Sequence, residues 1–332
     1  MSTATEIRLA SRPVGAPTLD DFSIVDVERP EPGEGGVLVR NLVLSVDPYM
    51  RMRMSEAKAY APPFEVGKVM PGGAIGEVIE SRSAAFAKGE VVLHSAGWRS
   101  HAAVPAEQAV KIDTDAAPLT AYLGVLGLTG LTAYAGLIEA QFEEGDTVFV
   151  SGAAGAVGSV VGQLAKLRGA KRVIGSAGSA DKVAHLVDEL GFDAAFNYKD
   201  GPVAEQLAAA APDGIDVYFE NVGGEHLEAA IDALNRNGRI AYCGVISQYN
   251  ATEPVPGPRN MIKVLHQRLT IRGFLVGDHT ALRPQFLAEI APLVKQGKLR
   301  YRETIVDGLR NAPQAFLDLL EGANTGKMLV RL

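Results

Sequence analysis

The 332-residue sequence contains a single cysteine, Cys243, and only six histidines. One cysteine cannot form an internal disulfide, and it cannot supply a thiolate cluster for zinc. The histidines, at positions 94, 101, 185, 226, 266 and 279, lack the spacing typical of ligands for one ion, so we expect each to be a surface or packing residue. The sequence therefore predicts no metal site and fits a reducing, cytoplasmic location.

Long apolar runs and long runs of one charge sign are also missing. Residues 1–20 carry Arg8 and Arg12 but no apolar signal segment, and nowhere do about 18 uncharged apolar residues follow one another. A net charge of −7 and a pI near 5.5 argue against nucleic acid or an anionic membrane as the main partner. We therefore expect a soluble globular protein that is neither secreted nor membrane-spanning.

Two sequence textures follow each other, and the chain length suits two domains. Up to about Asp113, short apolar runs at 23–27, 37–44, 76–81 and 90–93 are broken by Pro and Gly, which is typical of an irregular β-barrel or sandwich. From Leu119 onward, helical patterns at 163–168, 183–190 and 227–234 alternate with buried strands at 172–175, 216–220 and 239–244. A final helix at 312–321 and strand at 328–332 complete the chain. The alternation predicts an α/β fold with a parallel, doubly wound sheet.

The most informative segment is a glycine-spaced turn between a buried strand, 148–150, and a helical pattern. The spacing G-x-G-x-x-G maps onto Ala153, Gly155 and Gly158, so alanine replaces its first glycine. A backbone without Cβ atoms lets a phosphate approach closely, and the start of the following helix favours an anion. We predict that the pyrophosphate of a dinucleotide binds here. An ordinary tight turn between strand and helix is the alternative.

The residues after the second predicted strand indicate which dinucleotide binds. Sites selective for NAD usually place Asp or Glu there to hold the ribose 2′-hydroxyl, and no carboxylate occupies the position here. Ser176, Ser179 and Lys182 could instead bind the extra 2′-phosphate through hydroxyl donors and an ammonium. NADPH is therefore the predicted cofactor. The alternatives are that Ser179 caps a helix beginning near Ala180 and that Lys182 is a solvated helix residue.

Several sequence blocks, in order along nearly the whole chain, carry a resemblance to a known family. They lie at 44–51 (LSVDPYMR), 124–134 (GVLGLTGLTAY), 153–159 (AAGAVGS), 196–198 (FNY), 220–224 (ENVGG), 243–250 (CGVISQYN) and 322–327 (GANTGK). With them the chain resembles the zinc-independent medium-chain dehydrogenases and reductases, in the branch of the leukotriene and prostaglandin reductases, plant double-bond reductases and bacterial curcumin reductase. The resemblance implies a GroES-like domain over 1–122, completed by 300–332, and a Rossmann NADPH-binding domain over 123–299. It also implies an active site in the cleft between them and suggests a homodimer.

The predicted cofactor-binding set combines the phosphate-site residues with those that match cofactor contacts in the family. Its members are Ala154, Gly155, Ala156, Val157, Gly158, Ser176, Lys182, Tyr198, Asn221, Cys243, Gly244, Ile246, Ser247, Tyr249, Phe274, Leu275, Val276 and Asn324. Structural alternatives exist for several of them. Asn221 could simply form a turn, and residues 274–276 are expected to be a buried strand whether or not they bind a ligand. Cys243 is expected to fill space rather than to act as a nucleophile.

Two tyrosines are the predicted catalytic residues. Without a metal, reduction of a simple ketone is hard to support, whereas hydride addition to an electron-poor alkene needs only a donor on the conjugated carbonyl. Relatives have the tyrosine matching Tyr249 beside the nicotinamide ribose and the substrate carbonyl, and the one matching Tyr49 in the substrate pocket. Tyr249 is expected to donate the proton or to orient a ribose hydroxyl that relays it. For each tyrosine, a ring that only packs is the alternative.

The sequence therefore predicts an NADPH-dependent reductase that adds hydride to the β-carbon and a proton to the α-carbon of a small, apolar α,β-unsaturated aldehyde or ketone. Loops 62–64 and 254–259 are candidates for choosing the substrate, and Trp98 and Arg99 could shape its pocket. A quinone reductase on the same fold is one alternative. A non-catalytic, crystallin-like NADPH-binding protein is the other.

Overall fold

The computed structural model describes residues 3–56 and 60–332. The chain divides into two compact units, one that runs to Gly124 and resumes at Glu303, and one that spans Val125–Arg302. The predicted domain limits, 1–122 with 300–332 and 123–299, differ from these only at the junctions. The first unit is dominated by strands and the second contains a parallel sheet with helices, which confirms the predicted α/β fold class.

The strands are numbered along the chain. They are β1 (Thr3–Leu9), β2 (Phe22–Glu28), β3 (Gly36–Ser45), β4 (Ala74–Ser81), β5 (Val91–His94), β6 (His101–Pro105), β7 (Val110–Lys111), β8 (Thr147–Val150), β9 (Arg172–Ala177), β10 (Ala194–Asn197), β11 (Ile215–Glu220), β12 (Leu234–Tyr242), β13 (Thr270–Gly273), β14 (Glu303–Asp307) and β15 (Lys327–Arg331). Each run that the sequence predicts as a strand in the first domain overlaps β2, β3, β4 or β5.

The α-helices are numbered in the same way. They are α1 (Tyr49–Arg53), α2 (Leu128–Glu139), α3 (Gly158–Leu167), α4 (Ala180–Ala184), α5 (Val203–Ala210), α6 (Glu225–Ala233), α7 (Ile262–Gln267), α8 (Arg283–Lys295) and α9 (Ala312–Leu320). The predicted helix at 183–190 begins earlier, as α4, and continues as a short π-helix over His185–Glu189. Within the described part of the chain, no helix has the length and apolar character needed to cross a membrane.

The first unit is built on a sheet with the order β14-β15-β3-β4-β5-β7, in which β6 also pairs with β3. One of its cores is aromatic, because Phe22 stacks on Trp98 at 6.0 Å and Phe316 meets both rings edge-on. Trp98 has no exposed surface and holds a left-handed backbone with φ of 57°. Because this conformation is unfavourable for a bulky residue, tight packing must maintain it. Trp98 is therefore a core residue and does not line an open pocket.

The second unit contains a six-stranded parallel sheet with the order β10-β9-β8-β11-β12-β13. Its central strand β8 is buried over its whole length, as expected for a strand covered on both faces. The strand order reverses between β8 and β11, and loops at the carboxyl ends of strands beside such a reversal line the ligand crevice. The predicted doubly wound sheet is confirmed. Because β8 and β11 are parallel, the loops that follow them lie together at the carboxyl ends of the strands.

The prediction that residues 274–276 form a buried strand is wrong. β13 ends at Gly273, and Leu275 is 40% exposed. The physical reason is that β13 pairs only with β12 among the described strands, so this end of the sheet is an open edge. Phe274 is half-buried, since its ring packs edge-on against Phe219 at 6.2 Å. The segment is therefore a loop that leaves the edge of the sheet.

Candidate cofactor site

The turn after β8 presents unpaired backbone amides at the start of α3. The helix has no side-chain cap at its N terminus. Among the described residues, no acceptor bonds to the amides of Ala154, Ala156, Val157 and Gly158, here called the four open amides. Uncapped N–H groups at the start of a helix, together with the helix dipole, favour an anion. The turn therefore fits a pyrophosphate group.

Two glycines of the turn differ in what a side chain would meet. A Cβ atom on Gly158 would lie 2.6 Å from the carbonyl oxygen of Gly152 and 2.7 Å from Cα of Ala153, so only glycine fits. A Cβ atom on Gly155 would meet only the oxygen of Gly152, at 3.2 Å, and otherwise open space. Gly158 is thus required by the packing of the turn. Gly155, in contrast, has open space beside its backbone.

The alanine at the first motif position has a packing explanation. Ala153 is fully buried, and its amide donates to the carbonyl oxygen of Ser176 on β9 at 2.9 Å. A Cβ atom on the neighbouring Gly175 would lie 2.9 Å from Cβ of Ala153. The methyl group of Ala153 therefore occupies the room that the missing side chain of Gly175 leaves. The departure from the usual glycine spacing is compensated on the next strand.

Alanine substitutions at the two glycines should have different effects. We expect Gly158→Ala to lower the free energy of unfolding by about 1–3 kcal/mol, because its Cβ atom would overlap the turn. Gly155→Ala should change it by less than about 1 kcal/mol, since nothing has to move far. It should still weaken NADPH binding by about tenfold, because its methyl group would lie where a phosphate approaches the backbone. Urea unfolding and calorimetric titration measure the two effects. Equal losses of stability, or unchanged NADPH affinity in Gly155→Ala, would contradict this assignment.

The loops after β9 and β10 gather the residues predicted for the 2′-phosphate. The Ser179 hydroxyl accepts the amide of Lys182 at 3.3 Å, which confirms the predicted helix cap. The ring of Tyr198 lies over Gly178, where an added Cβ atom would be 3.1 Å from it. Burial and the positive charge of Lys199 lower the pKa of Lys182. A bound phosphate dianion would offset both effects, so this region fits the predicted role.

Ser176 does not present its hydroxyl at this surface. It has no exposed area on β9, and its Oγ atom has no hydrogen-bond partner among the described residues. A side chain enclosed in the sheet cannot contact a phosphate that binds beyond the strand end. Of the two serines considered for the 2′-phosphate, Ser179 is the one placed in the loop. The difference between the two serines depends on where β9 ends and which of its side chains face inward. The sequence alone does not fix this to within one residue.

Replacement of Lys182 should separate the two nicotinamide cofactors. We expect Lys182→Ala to raise the Kd for NADPH by about 10- to 100-fold, since a charge-assisted contact to phosphate is lost, and to leave the Kd for NADH within about twofold. Lys166→Ala is the matched control, because Lys166 pairs with Asp193 in the same unit. Fluorescence titration with both cofactors provides the measurement. Equal losses for NADPH and NADH would remove Lys182 from the 2′-phosphate site.

Hydrogen bonds tie the loops after β8, β11 and β12 together. The Asn221 side chain donates to the carbonyl oxygen of Ser151 at 2.8 Å, so its NH₂ group is directed inward. The amide of Ile246 donates to the oxygen of Asn221 at 3.2 Å, and that of Ser247 to the oxygen of Val222 at 3.1 Å. The structure therefore brings Asn221 and the 243–249 loop beside the residue from which the phosphate turn starts.

Tyr249 ends a short 3-10 turn, Ile246–Gln248, within that loop. Its ring is half-buried, and its hydroxyl lies 3.2 Å from the position that a Cβ atom on Gly244 would occupy. The carbonyl oxygen of Asn221 is 3.8 Å from the same point. The Tyr249 hydroxyl is thus folded back over its own loop, near the carboxyl ends of β11 and β12. A hydroxyl in this position can act as a hydrogen-bond donor beside a cofactor on the same edge.

Cys243 and two of the histidines are uncharged at neutral pH. Burial and the nearby charge of Glu220 raise the pKa of Cys243 to about 12, as expected for a residue that fills space. Burial lowers the pKa of His94 and that of His226 to about 4. His94 bonds to the amide oxygen of Asn41 at 3.0 Å, so it is a packing residue. Within the described ranges, no three His, Cys, Asp or Glu side chains gather as a metal site requires.

Two predicted site residues belong to the first unit. Tyr49 begins α1 at the edge of the aromatic core, and burial, followed by the charge of Asp47, raises the pKa of its hydroxyl. Asp47 is itself buried and accepts the Lys327 ammonium at 3.0 Å. Asn324 is also buried, and its side chain donates to the carbonyl oxygen of Gly326 at 2.7 Å. The Tyr49 hydroxyl is therefore neutral, and Asn324 stabilises its own turn.

A cluster of three buried polar side chains lies at the end of β11, and the sequence predicts no role for it. It consists of Glu220, Tyr218 and Ser151, and their hydrogen bonds join the loops after β8 and β11. One feature of the sequence indicates such a cluster. An acidic residue ends an otherwise apolar strand of a parallel sheet, where a charge is costly unless it is bonded.

Comparisons with known proteins identify the family of the chain. Residues 5–112 match the family described as the N-terminal domain of oxidoreductases, and residues 156–292 match the family described as zinc-binding dehydrogenases. The chain is 44% identical over 330 residues to the NADPH-dependent curcumin reductase of Escherichia coli, with 98% of this chain and 95% of the relative covered. It is 42% identical over 336 residues to a NADP⁺-dependent 2-alkenal reductase of Nicotiana tabacum, with 98% and 96% covered. The crystal structure of CurA from Vibrio vulnificus in complex with NADPH superimposes with a TM-score of 0.94 at 45% identity and covers 98% of both chains.

Proposed function

Because the chain belongs to the zinc-independent medium-chain dehydrogenases and reductases and is an NADPH-dependent oxidoreductase, we propose that it reduces the carbon–carbon double bond of α,β-unsaturated aldehydes and ketones. The observation that carries the proposal is the Tyr249 hydroxyl, on a loop that is hydrogen-bonded to the residues beside the phosphate turn. The name of the tobacco relative supports it, because 2-alkenals are α,β-unsaturated aldehydes.

For this reaction the protein must orient the substrate against the cofactor and supply one hydrogen-bond donor to the carbonyl oxygen. NADPH supplies the hydride when it is bound. As the β-carbon gains this hydride, negative charge collects on the carbonyl oxygen, where a preorganised Tyr249 O–H lowers the barrier by roughly 3 kcal/mol. A proton then adds to the α-carbon, so the product is the saturated aldehyde or ketone. Tyr249 either donates that proton or orients a ribose hydroxyl of the cofactor that relays it.

The two candidate loops for substrate choice differ in accessibility. Phe64 in the loop 62–64 is buried in the aromatic core, and the Arg53 guanidinium lies 4.3 Å from the centre of its ring. Residues 254–257 are exposed, and the following Arg259 pairs with Glu228 of α6 at 3.0 Å. Substrate choice is therefore assigned to the exposed loop. Tyr49, the other predicted catalytic residue, lies in the first unit, and its neutral hydroxyl can donate a hydrogen bond.

A substrate panel with NADPH absorbance as the readout tests the proposed function. We expect enals and enones to be reduced faster than quinones, with products that gain two hydrogens and keep the carbonyl group. Prior dialysis against a strong chelator should leave the rate unchanged. Activity with quinones alone would favour the quinone reductase. Absence of NADPH consumption with every compound would favour a non-catalytic binding protein.

Removal of the Tyr249 hydroxyl should affect turnover more than binding. We expect Tyr249→Phe to lower kcat by about 100-fold, because the donor to the developing charge is lost, and to change the Kd for NADPH by less than about threefold. Tyr134→Phe serves as the control, since the Tyr134 hydroxyl bonds to Glu289 on α8 instead. Steady-state kinetics with one enal measures the effect. Unchanged kcat would exclude Tyr249 from the mechanism.

The homodimer suggested by the family and the cytoplasmic location stay predictions. All residues of β13 are exposed along its open edge, and Leu265 of α7 is 72% exposed. An open strand edge beside apolar side chains can pair with a second copy about a twofold axis. Sedimentation should give a dimer for the wild type and a shift towards monomer for Leu265→Asp. A monomeric wild type would contradict the dimer.

A further inference from the structure

The carboxylate of Glu220 is enclosed where the loops of the second unit meet, and its residue has no exposed area. Its Oε1 atom accepts the amides of Val222 and Gly223 at 2.6 and 2.8 Å, the Tyr218 hydroxyl at 2.7 Å and the Ser151 hydroxyl at 3.0 Å. Its Oε2 atom has no hydrogen-bond partner among the described residues. One carboxylate oxygen thus accepts four donors, one from β11 itself and three from the loops after β8 and β11.

Ser151 extends this network to the phosphate turn. Its hydroxyl accepts the amide of Asn221 at 2.9 Å, and its own amide donates to the oxygen of Phe219 at 3.2 Å. Ser151 is the last residue before the glycine-spaced segment that carries the four open amides. A change in the position of Glu220 would therefore be transmitted to the start of the phosphate turn.

The main chain around Glu220 holds the loop that carries Tyr249. The amides of Cys243 and Gly244 both donate to the carbonyl oxygen of Glu220, at 3.0 and 3.1 Å. Gly223 is left-handed with φ of 81°, and a Cβ atom there would lie 3.0 Å from Val245. The turn over 220–223 is thus closely packed against the Tyr249 loop. Both loops depend on the conformation of the same four residues.

Within residues 3–56 and 60–332, no cationic side chain pairs with this carboxylate. Burial raises the pKa of Glu220, and the four hydrogen bonds to Oε1 oppose that shift. Burial, followed by the charge of Glu220, raises the pKa of Tyr218, Tyr242 and Cys243 nearby. A buried charge held only by N–H and O–H donors requires those donors to stay in place. The network is therefore sensitive to the loss of any one of its members.

We propose that Glu220 is a positioning residue, whose carboxylate sets the 220–223 turn against Ser151 so that the phosphate turn and the Tyr249 loop are in place before NADPH binds. Ordering of loops before binding reduces the entropy that binding must overcome. The inference rests on the proposed function only in that it takes the Tyr249 loop as the nicotinamide end. The adenosine end lies on the loops after β9 and β10, which Glu220 does not contact through any of these bonds.

Two ligands titrated into one variant test the proposal. Glu220→Gln keeps the shape and one acceptor but removes the charge that strengthens four hydrogen bonds. We expect the Kd for NADPH to rise by about tenfold or more. The Kd for adenosine 2′-monophosphate, which lacks both the pyrophosphate and the nicotinamide half, should stay within about twofold. Glu205→Gln, the same change at an exposed position on α5, should alter neither value.

The outcomes separate positioning from a general structural role. A general defect would weaken both ligands equally, and that result would overturn the proposal, as would an unchanged NADPH affinity. Where Glu220→Gln does not fold, Tyr218→Phe replaces it, because it removes one donor and keeps the buried ring. We expect Tyr218→Phe to weaken NADPH by about threefold and to spare the adenosine fragment. Equal or absent effects in Tyr218→Phe would also overturn the proposal. These titrations contain no unsaturated carbonyl, so failure of the proposed reaction would leave their result intact.

Discussion

The second unit depends on how the polar groups at one edge of a buried parallel sheet are satisfied. Its strands are apolar because helices cover both faces, so the polar atoms collect in the loops at the carboxyl ends. There, Ser151 and Glu220 bond to the amides of the 220–223 turn, and that turn bonds to the next loop. The four open amides are left over from this arrangement. Backbone amides without acceptors favour an anion, and here they lie beside a region whose backbone groups are closely hydrogen-bonded.

A buried carboxylate residue is associated with the segment that carries each predicted catalytic tyrosine. The two carboxylates are stabilised differently. Asp47 precedes Tyr49 and is paired with the Lys327 ammonium, which links β15 to the end of β3. Glu220 supports the loop of Tyr249, and the donors that hold it in the described part of the chain are all neutral. A buried ion pair adds little net stability but is costly to break, and the same holds for a hydrogen-bonded charge.

Much of the site could be predicted because it follows the chain locally. The glycine-spaced turn, the Ser179 cap and the absence of a carboxylate after β9 are each contained in a few consecutive residues. Other features required contacts between distant segments. The replacement of glycine by Ala153 is explained only beside Gly175, and the enclosure of Ser176 follows from the strand register. The loop at 274–276 was predicted to be buried because its residues are apolar, yet it leaves an open sheet edge.

By itself, the sequence determined the fold class, the position of the glycine-spaced turn and the preference for NADPH, because periodicity, glycine spacing and the lack of an acidic residue act over short distances. Tertiary structure alone decided which hydroxyls are exposed, which glycines are sterically required and how Glu220 joins three loops. Those properties depend on side chains that are separated by up to about 100 residues along the chain and meet only when the parallel strands pair. Burial and hydrogen bonding between such residues exist only after that pairing.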